Sequence, residues 1–291
     1  MIPGMENAAR ALSSERLRAV NSRQNPLVKE LRHAFSQGEA VNGMCAVEGV
    51  RLIEEAIRSG LKVQALFVRE SARAKAERIL QQLNKHAETV LLPEDVFDSA
   101  VLTEHPQGLA ALVKIREHTL ETALTATPAM LVVAAGLQDP GNFGTLIRSA
   151  EAFGATGVLG LEGTVNPWSP KTVRSSAGSS FRIPVLKVTA DQLMPELEAR
   201  EIGRVALVAV RPGESFGDGR SPKSPRRLQD ANLTRPCALF VGNEGAGLSR
   251  ELIGRIDEFV AIPQLHVESL NAGVAASVAL YEAQRQRSVA S

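Results

Sequence analysis

The second half of the chain alternates short, almost continuously apolar runs with longer amphipathic stretches. Runs at Met130–Ala134, Gly157–Leu161, Val205–Val210, Ala238–Val241 and Phe259–Ile262 are too short for buried helices and read as strands. They do not alternate polar with apolar, so both faces of each strand face a core. That pattern suits a parallel sheet covered by helices on both sides. The helical stretches between them supply the covering layers. The last, Ser269–Arg287, sets Val274, Val278 and Tyr281 along one side, more apolar than a lone surface helix needs.

The first half also alternates, with more polar faces. Asn25 reads as a helix N-cap with Pro26 at the first helical position, opening a helix through Arg32. Ala46–Ala56 runs from a short strand into an amphipathic helix. A strand over Val63–Val68, a helix over Ala72–Leu83, a strand over Thr89–Leu92, a helix start at Pro93–Ala100 and a closing strand over Gly108–Ile115 follow. This is an α/β/α unit of roughly 90 residues, within the usual range for a domain. Polar, threonine-rich Glu117–Pro128 reads as the linker. Residues 1–20 are expected to be a flexible tail, 21–118 one domain and 126–291 the other.

Composition narrows the function classes. The 291 residues are 44% hydrophobic, enough for two cores. No apolar run approaches the ~18 residues of a membrane span. The polar N-terminus lacks the apolar stretch of a signal peptide. Cys45 and Cys237 have no metal-ligand partners at useful spacing, so a cytoplasmic protein without structural zinc is expected. The net charge of +1 lends no global support to nucleic-acid binding, so any such footprint must be local. The candidates are 165–187, which carries Lys171, Arg174, Arg182 and Lys187 without an acidic residue, and the Arg211–Pro236 connection with Lys223, Arg226 and Arg227. A solvated face and a flexible surface loop are the plainer readings of the two.

Three segments carry candidate chemistry. In the first, strand Met130–Ala134 enters a Pro/Gly turn and then a helix bearing Arg148, a loop-to-helix arrangement suited to anions. Asn142 sits in that turn, as a site residue or simply as an N-cap. In the second, Val241–Ser249 places Glu244 in a glycine-rich turn. It lacks the Walker lysine, and its glycine spacing does not fit a dinucleotide fold. In the third, Ile262–Asn271 leads into the last helix, with Ser269 as cap, site residue or both.

In this order and spacing the three segments resemble the three motifs of the SpoU family of RNA ribose methyltransferases, part of the SPOUT superfamily. The resemblance runs from about Asn25 to Arg287. The N-terminal unit, through Val47–Glu55, resembles the ribosomal-protein-like substrate-binding domain that precedes many SpoU catalytic domains. The resemblance implies a SPOUT fold whose parallel sheet ends in a deep trefoil knot. It implies S-adenosylmethionine (SAM) held along Gly242, Asn243, Ile262, Gln264 and Leu270. Arg148, Asn142, Glu244, Ser269 and Asn271 would form the catalytic end, and Lys171, Arg174 and Ser176 would meet RNA. A homodimer is implied, because a second subunit completes the cofactor pocket in SPOUT proteins. The N-terminal domain favours rRNA over tRNA. Trp168 would stack on a base or anchor a dimer.

Methylating a ribose hydroxyl needs no metal. It needs alignment, worth roughly 7–11 kcal/mol in well-oriented systems, and stabilisation of the developing alkoxide. A guanidinium supplies the second more readily than it acts as a base. The chain departs from the family at Gln264-Leu265-His266, where a methionine and a glycine are usual and one more residue is present. A different turn around the adenine is therefore expected, with His266 as part of it. The rival readings are a non-catalytic RNA-binding or ribosome-assembly protein and a SPOUT base methyltransferase. Asn142, Arg148, Glu244, Ser269 and Asn271 oppose the first; the lack of a matching aspartate opposes the second.

Overall fold

The computed structural model describes residues 17–37, 42–101, 103–209, 216, 224–267 and 269–290. Most of the expected tail, together with Val210 and Lys223, lies outside the described residues. The chain forms two compact units. One is built from residues up to Glu117 together with Trp168–Phe181; the other takes His118–Pro167 and Arg182 onward.

The first unit holds β1 (Arg18–Ala19), α1 (Pro26–Gln37), β2 (Met44–Glu48), α2 (Val50–Arg58), β3 (Lys62–Arg69), α3 (Arg73–Gln82), β4 (Glu88–Leu92), α4 (Glu94–Asp98) and β5 (Leu109–Lys114). Its sheet runs β1-β4-β3-β5-β2, with β5 antiparallel to both neighbours. Arg18–Ala19 pairs with Val90–Leu91, so the end of the expected tail is a strand; two residues carry no periodicity to announce it. Val28, Leu31, Phe67 and Phe97 fill one face, and Ile53, Leu66, Val68 and Ile79 fill the other. Trp168–Phe181, including α5 (Pro170–Ser175), adds Val173 and Phe181 to that second core. The packing is close: a Cβ on Gly178 would lie 3.0 Å from Glu55 Cβ, and Gly178 has φ +86°.

The second unit opens with α6 (Leu120–Leu124), capped by Thr119. It continues with β6 (Met130–Ala135), α7 (Pro140–Ala152), β7 (Gly157–Gly160), β8 (Val185–Lys187), α8 (Ala190–Ala199), β9 (Gly203–Leu207), β10 (Arg226–Arg227), β11 (Cys237–Gly242), α9 (Arg250–Ile253), β12 (Glu258–Ala261) and α10 (Ala272–Ala290). All the strand pairs are parallel, in the order β10-β12-β9-β11-β6-β7-β8. The apolar runs divide by alternation. Met130, Val132 and Ala134 face α7 and α10, where Leu146, Ile147, Ala276 and Leu280 are buried. Leu131 and Val133 face Leu193, Leu197, Leu252 and Phe259. Among the described residues, no helix is long and apolar enough to cross a membrane.

Chain order puts the ends of β6 and β11 side by side, Ala135 opposite Gly242. Clefts beyond the carboxyl ends of parallel strands are where such sheets bind ligands. The loops after β6, β11 and β12 all emerge there.

Candidate active site

Helix α7 is capped by Asp139, whose side chain accepts the Asn142 backbone N–H at 2.8 Å, with Pro140 at the first helical position. Asn142 is therefore not the cap, and its side chain is free for other work. Its Nδ2 donates to Glu244 Oε1 at 2.9 Å, and its Oδ1 accepts from Asn271 Nδ2 at 2.8 Å. The direction is fixed by chemistry. A carboxylate only accepts, so Asn142 must present its nitrogen to Glu244 and its oxygen to Asn271. Asn271 then turns its own Oδ1 to the N–H groups of Gly273 and Val274, at 3.0 and 3.2 Å. Asn271, rather than Ser269, thus caps α10. One chain of hydrogen bonds joins three segments separated by 102 and 129 residues.

The helices behind that chain are drawn together by small residues. A Cβ on Gly273 would approach the Asn142 carbonyl oxygen to 3.1 Å, and Ser149 and Ser277 share a hydrogen bond of 2.6 Å. Any larger side chain at these contacts would push Asn271 away from Asn142.

The turn after β11 is built by its first two residues. A Cβ on Gly242 would stand 2.5 Å from the carbonyl carbon of Gly247, so only glycine lets the turn fold back. Asn243 and Gly247 exchange backbone hydrogen bonds at 3.0 Å. The Asn243 side chain accepts from Gly245 N and Ala246 N, both at 2.9 Å, and donates to the Gly136 carbonyl at 2.8 Å. It shapes the turn and ties it to the end of β6.

Partial burial raises the Glu244 carboxyl. The Asn142 amide and the backbone N–H groups of Glu244, Gln138 and Asp139 outweigh that and hold it below its usual value. It stays an anion and an acceptor near neutral pH. Arg148 projects from α7 about 9 Å further along the axis than Asn142 and a third of a turn around. It is exposed and has no hydrogen bond or ion pair among the described residues. Glu244 is engaged with Asn142, so the two charges remain separate.

A cavity of about 350 Å³ opens beside Glu244. Gly242, Asn243, Ile262, Gln264 and Leu270 all line it, as do Glu244 and Ser269. Leu207, Val208, Phe216, Val241, Leu248 and Ile253 give it an apolar wall. The size and the mixture of apolar wall and a few polar groups suit a nucleoside-sized ligand.

Comparison with known proteins fits this geometry. The model of the SpoU rRNA Methylase family matches residues 129–281, the whole region that holds the cavity and the hydrogen-bond chain. The chain belongs to that family. A second model, the MRM3-like substrate binding domain, matches residues 25–111. The chain is 32% identical to the 23S rRNA (guanosine(2553)-2'-O)-methyltransferase RlmP of Bacillus subtilis, over 91% of this chain and 98% of that protein. It is 32% identical to a 23S rRNA (uridine(2479)-2'-O)-methyltransferase of Streptomyces viridochromogenes, over 84% of each. The crystal structure of the SpoU methyltransferase AviRb from the same organism, in complex with the cofactor AdoMet, superimposes with a TM-score of 0.74. It is 27% identical and is covered completely, against 91% of this chain.

Within this SpoU protein the expected RNA contacts divide. Lys171 and Arg174 are exposed on α5. Ser176 is completely buried, donating to the Val173 carbonyl and accepting from Ser180, so it belongs to the packing of this segment and not to its surface. Trp168 is half-buried against the first unit's core. Arg182 pairs with Glu151, and Arg226 with Glu258, which neutralises part of both basic stretches. Sequence reasoning missed Asp139 as the cap, although Asp-Pro is a helix-start signal. It also missed Leu207, Phe216, Leu248 and Ile253 in the cavity wall. No motif marks them, because any apolar residue of similar shape fills such a wall.

Proposed function

We propose that the protein transfers the methyl group of SAM to a ribose 2'-hydroxyl of RNA, with rRNA the favoured substrate. The observation that carries this reading is the Glu244–Asn142–Asn271 chain, whose Glu244 lines a nucleoside-sized cavity, with an arginine on the helix of Asn142 that is unpaired among the described residues. SAM, when bound, supplies an electrophilic methyl group. The fit rests on features of this chain: Gly242 lets the turn after β11 fold back beside the cavity, and Gln264 adds a polar side chain to its lining.

The protein's own contribution is alignment and charge. The apolar wall gives a flat base a surface to pack against. Asn271 and Asn142 hold the start of α10 against α7, so the elements bordering the ribose site keep one geometry. The Arg148 guanidinium stabilises negative charge as the 2'-oxygen gives its proton to solvent and takes the methyl group, whose bond to sulfur breaks to leave a neutral thioether. Lys171 and Arg174 bind RNA phosphates, a sequence-independent contribution that weakens with salt. The N-terminal unit selects the RNA. The knotted passage of the chain, the homodimer and a cytoplasmic setting belong to the same proposal. The exposed row Val274, Val278 and Tyr281 on α10 supports the dimer.

The test is methyl transfer from labelled SAM to unmodified rRNA by the wild type and by Arg148→Ala. The reading expects label on a ribose oxygen with the wild type and none with the variant. Equal labelling by both would refute the role of Arg148.

A further inference from the structure

The turn after β11 docks on one short segment after β6, Gly136–Asp139. The Gly136 carbonyl accepts from Asn243 Nδ2 at 2.8 Å, and the backbone N–H groups of Gln138 and Asp139 hydrogen-bond to Glu244. The other flank of β6 faces β7. From that flank the segment is held by a residue outside the three motif segments. Thr164 is buried, and its hydroxyl accepts the Gly136 N–H at 3.0 Å while donating to the Ala134 carbonyl at 2.9 Å. Val165 then donates its N–H to the Leu137 carbonyl at 2.8 Å. The last residue pair of β6 and β7 is Ala134 with Gly160, so a side chain extends the tie beyond the strands. A turn brings the hydroxyl there: the Thr164 N–H closes on the Leu161 carbonyl at 3.1 Å, with Gly163 at φ +79°.

We propose that Thr164 is a positioning residue for the methyl-donor site: its hydroxyl holds Gly136–Asp139 where Asn243 and Glu244 dock, and so sets the turn that lines the cavity. The inference rests on the proposed use of SAM. Asn243 and Glu244 both line the cavity, and both are anchored on atoms of this one segment. A displacement of the segment therefore moves them together. Without the hydroxyl the Gly136 N–H loses its acceptor, and an unmet backbone donor is costly. The segment then shifts toward water in the free protein, and binding has to draw it back. The cost falls on affinity. The Thr164 methyl does separate work: a Cβ on Gly160 would meet it at 3.4 Å, an ordinary packing contact. Hydroxyl and methyl can be removed one at a time.

The experiment is calorimetry with S-adenosylhomocysteine on the full chain, with thermal melting alongside, for the wild type and for Thr164→Val, Thr164→Ala and Thr164→Ser. Thr164→Val keeps the shape and loses the hydroxyl; Thr164→Ser keeps the hydroxyl and loses the methyl. Affinity should fall about tenfold in Thr164→Val and in Thr164→Ala. Thr164→Ser should bind as the wild type does, even though it melts lower. In methyl transfer Thr164→Val should raise KM for SAM by the same factor, with kcat at saturating SAM little changed. Wild-type affinity in Thr164→Val, or affinity that falls in step with Tm across all three variants, would make Thr164 a packing residue and overturn the proposal. Wild-type protein that binds no S-adenosylhomocysteine would instead overturn the reading of the cavity on which the proposal rests.

Discussion

Arg148 and Glu244 both carry charge, and the protein treats them differently. Glu244 is held by hydrogen bonds, while Arg148 is exposed and, among the described residues, unpaired. Arg148→Ala should therefore abolish methyl transfer, with SAM affinity nearly unchanged and stability within about 0.5 kcal/mol of wild type. Arg148→Lys should fail as well, because an ammonium lacks the planar fork. Single-turnover assays with calorimetry separate the two effects; normal turnover by either variant would remove Arg148 from the mechanism. The sign for Glu244 follows from its lowered value. Its contribution to stability is complete above the ordinary carboxyl value of 4.5 and is lost as pH falls through the lower folded value. Urea unfolding between neutral and acid pH should show wild type losing its advantage over Glu244→Gln only at the acid end. A constant difference between the two would contradict this. Arg148 and Glu244 stand out in the sequence because they are the one basic residue of the first motif segment and the one charged residue of the second. That Glu244 faces Asn142 is not legible there, since the pairing spans more than a hundred residues.

Helix α10 is fixed at both ends. At its start Asn271 caps it and meets Asn142. Near its end Arg287 donates from Nε to Leu233 O at 2.8 Å, from Nη2 to Arg235 O at 2.8 Å and Ala129 O at 3.1 Å, and from Nη1 to Pro128 O at 3.2 Å. One guanidinium thus gathers carbonyls from the entries of β6 and β11. Hydrogen bonds from charged donors are worth more than neutral ones, so Arg287→Ala should cost about 2 kcal/mol in chemical denaturation. An unchanged midpoint would show that these carbonyls are equally well served by water. At the turn after β11, Gly242→Ala forces backbone apart and should abolish calorimetric binding of SAM while leaving the sheet's circular dichroism intact. Retained binding would mean that the turn can open without losing its site. The strands of this unit were readable from their apolar runs. The two-residue β10 and the three-residue β8 were not, because their pairing to β12 and β7 is tertiary and leaves no local pattern.

At the scale of the whole chain, the sequence suggests one break near the linker, whereas the first compact unit also includes the later segment Trp168–Phe181. Trp168–Phe181 sits within the sequence matched by the methylase model, yet Val173 and Phe181 are buried in the N-terminal core. The local pattern predicts that this segment is basic, but only tertiary packing says which core it joins. A fragment beginning near Thr127 should consequently expose those two side chains and unfold at lower denaturant than the same unit in the full chain. Equal midpoints would show that the segment folds without its core. Sedimentation at micromolar concentration should give a homodimer, with Val274→Glu or Tyr281→Glu shifting it to monomer; an active wild-type monomer would defeat that part of the account. The central claim is the transfer itself. Full-length protein should be incubated with labelled SAM and unmodified rRNA, the RNA digested, and the labelled nucleoside identified by mass spectrometry. The account predicts a single 2'-O-methylated nucleoside; label on a base, or no label with SAM demonstrably bound, would contradict it.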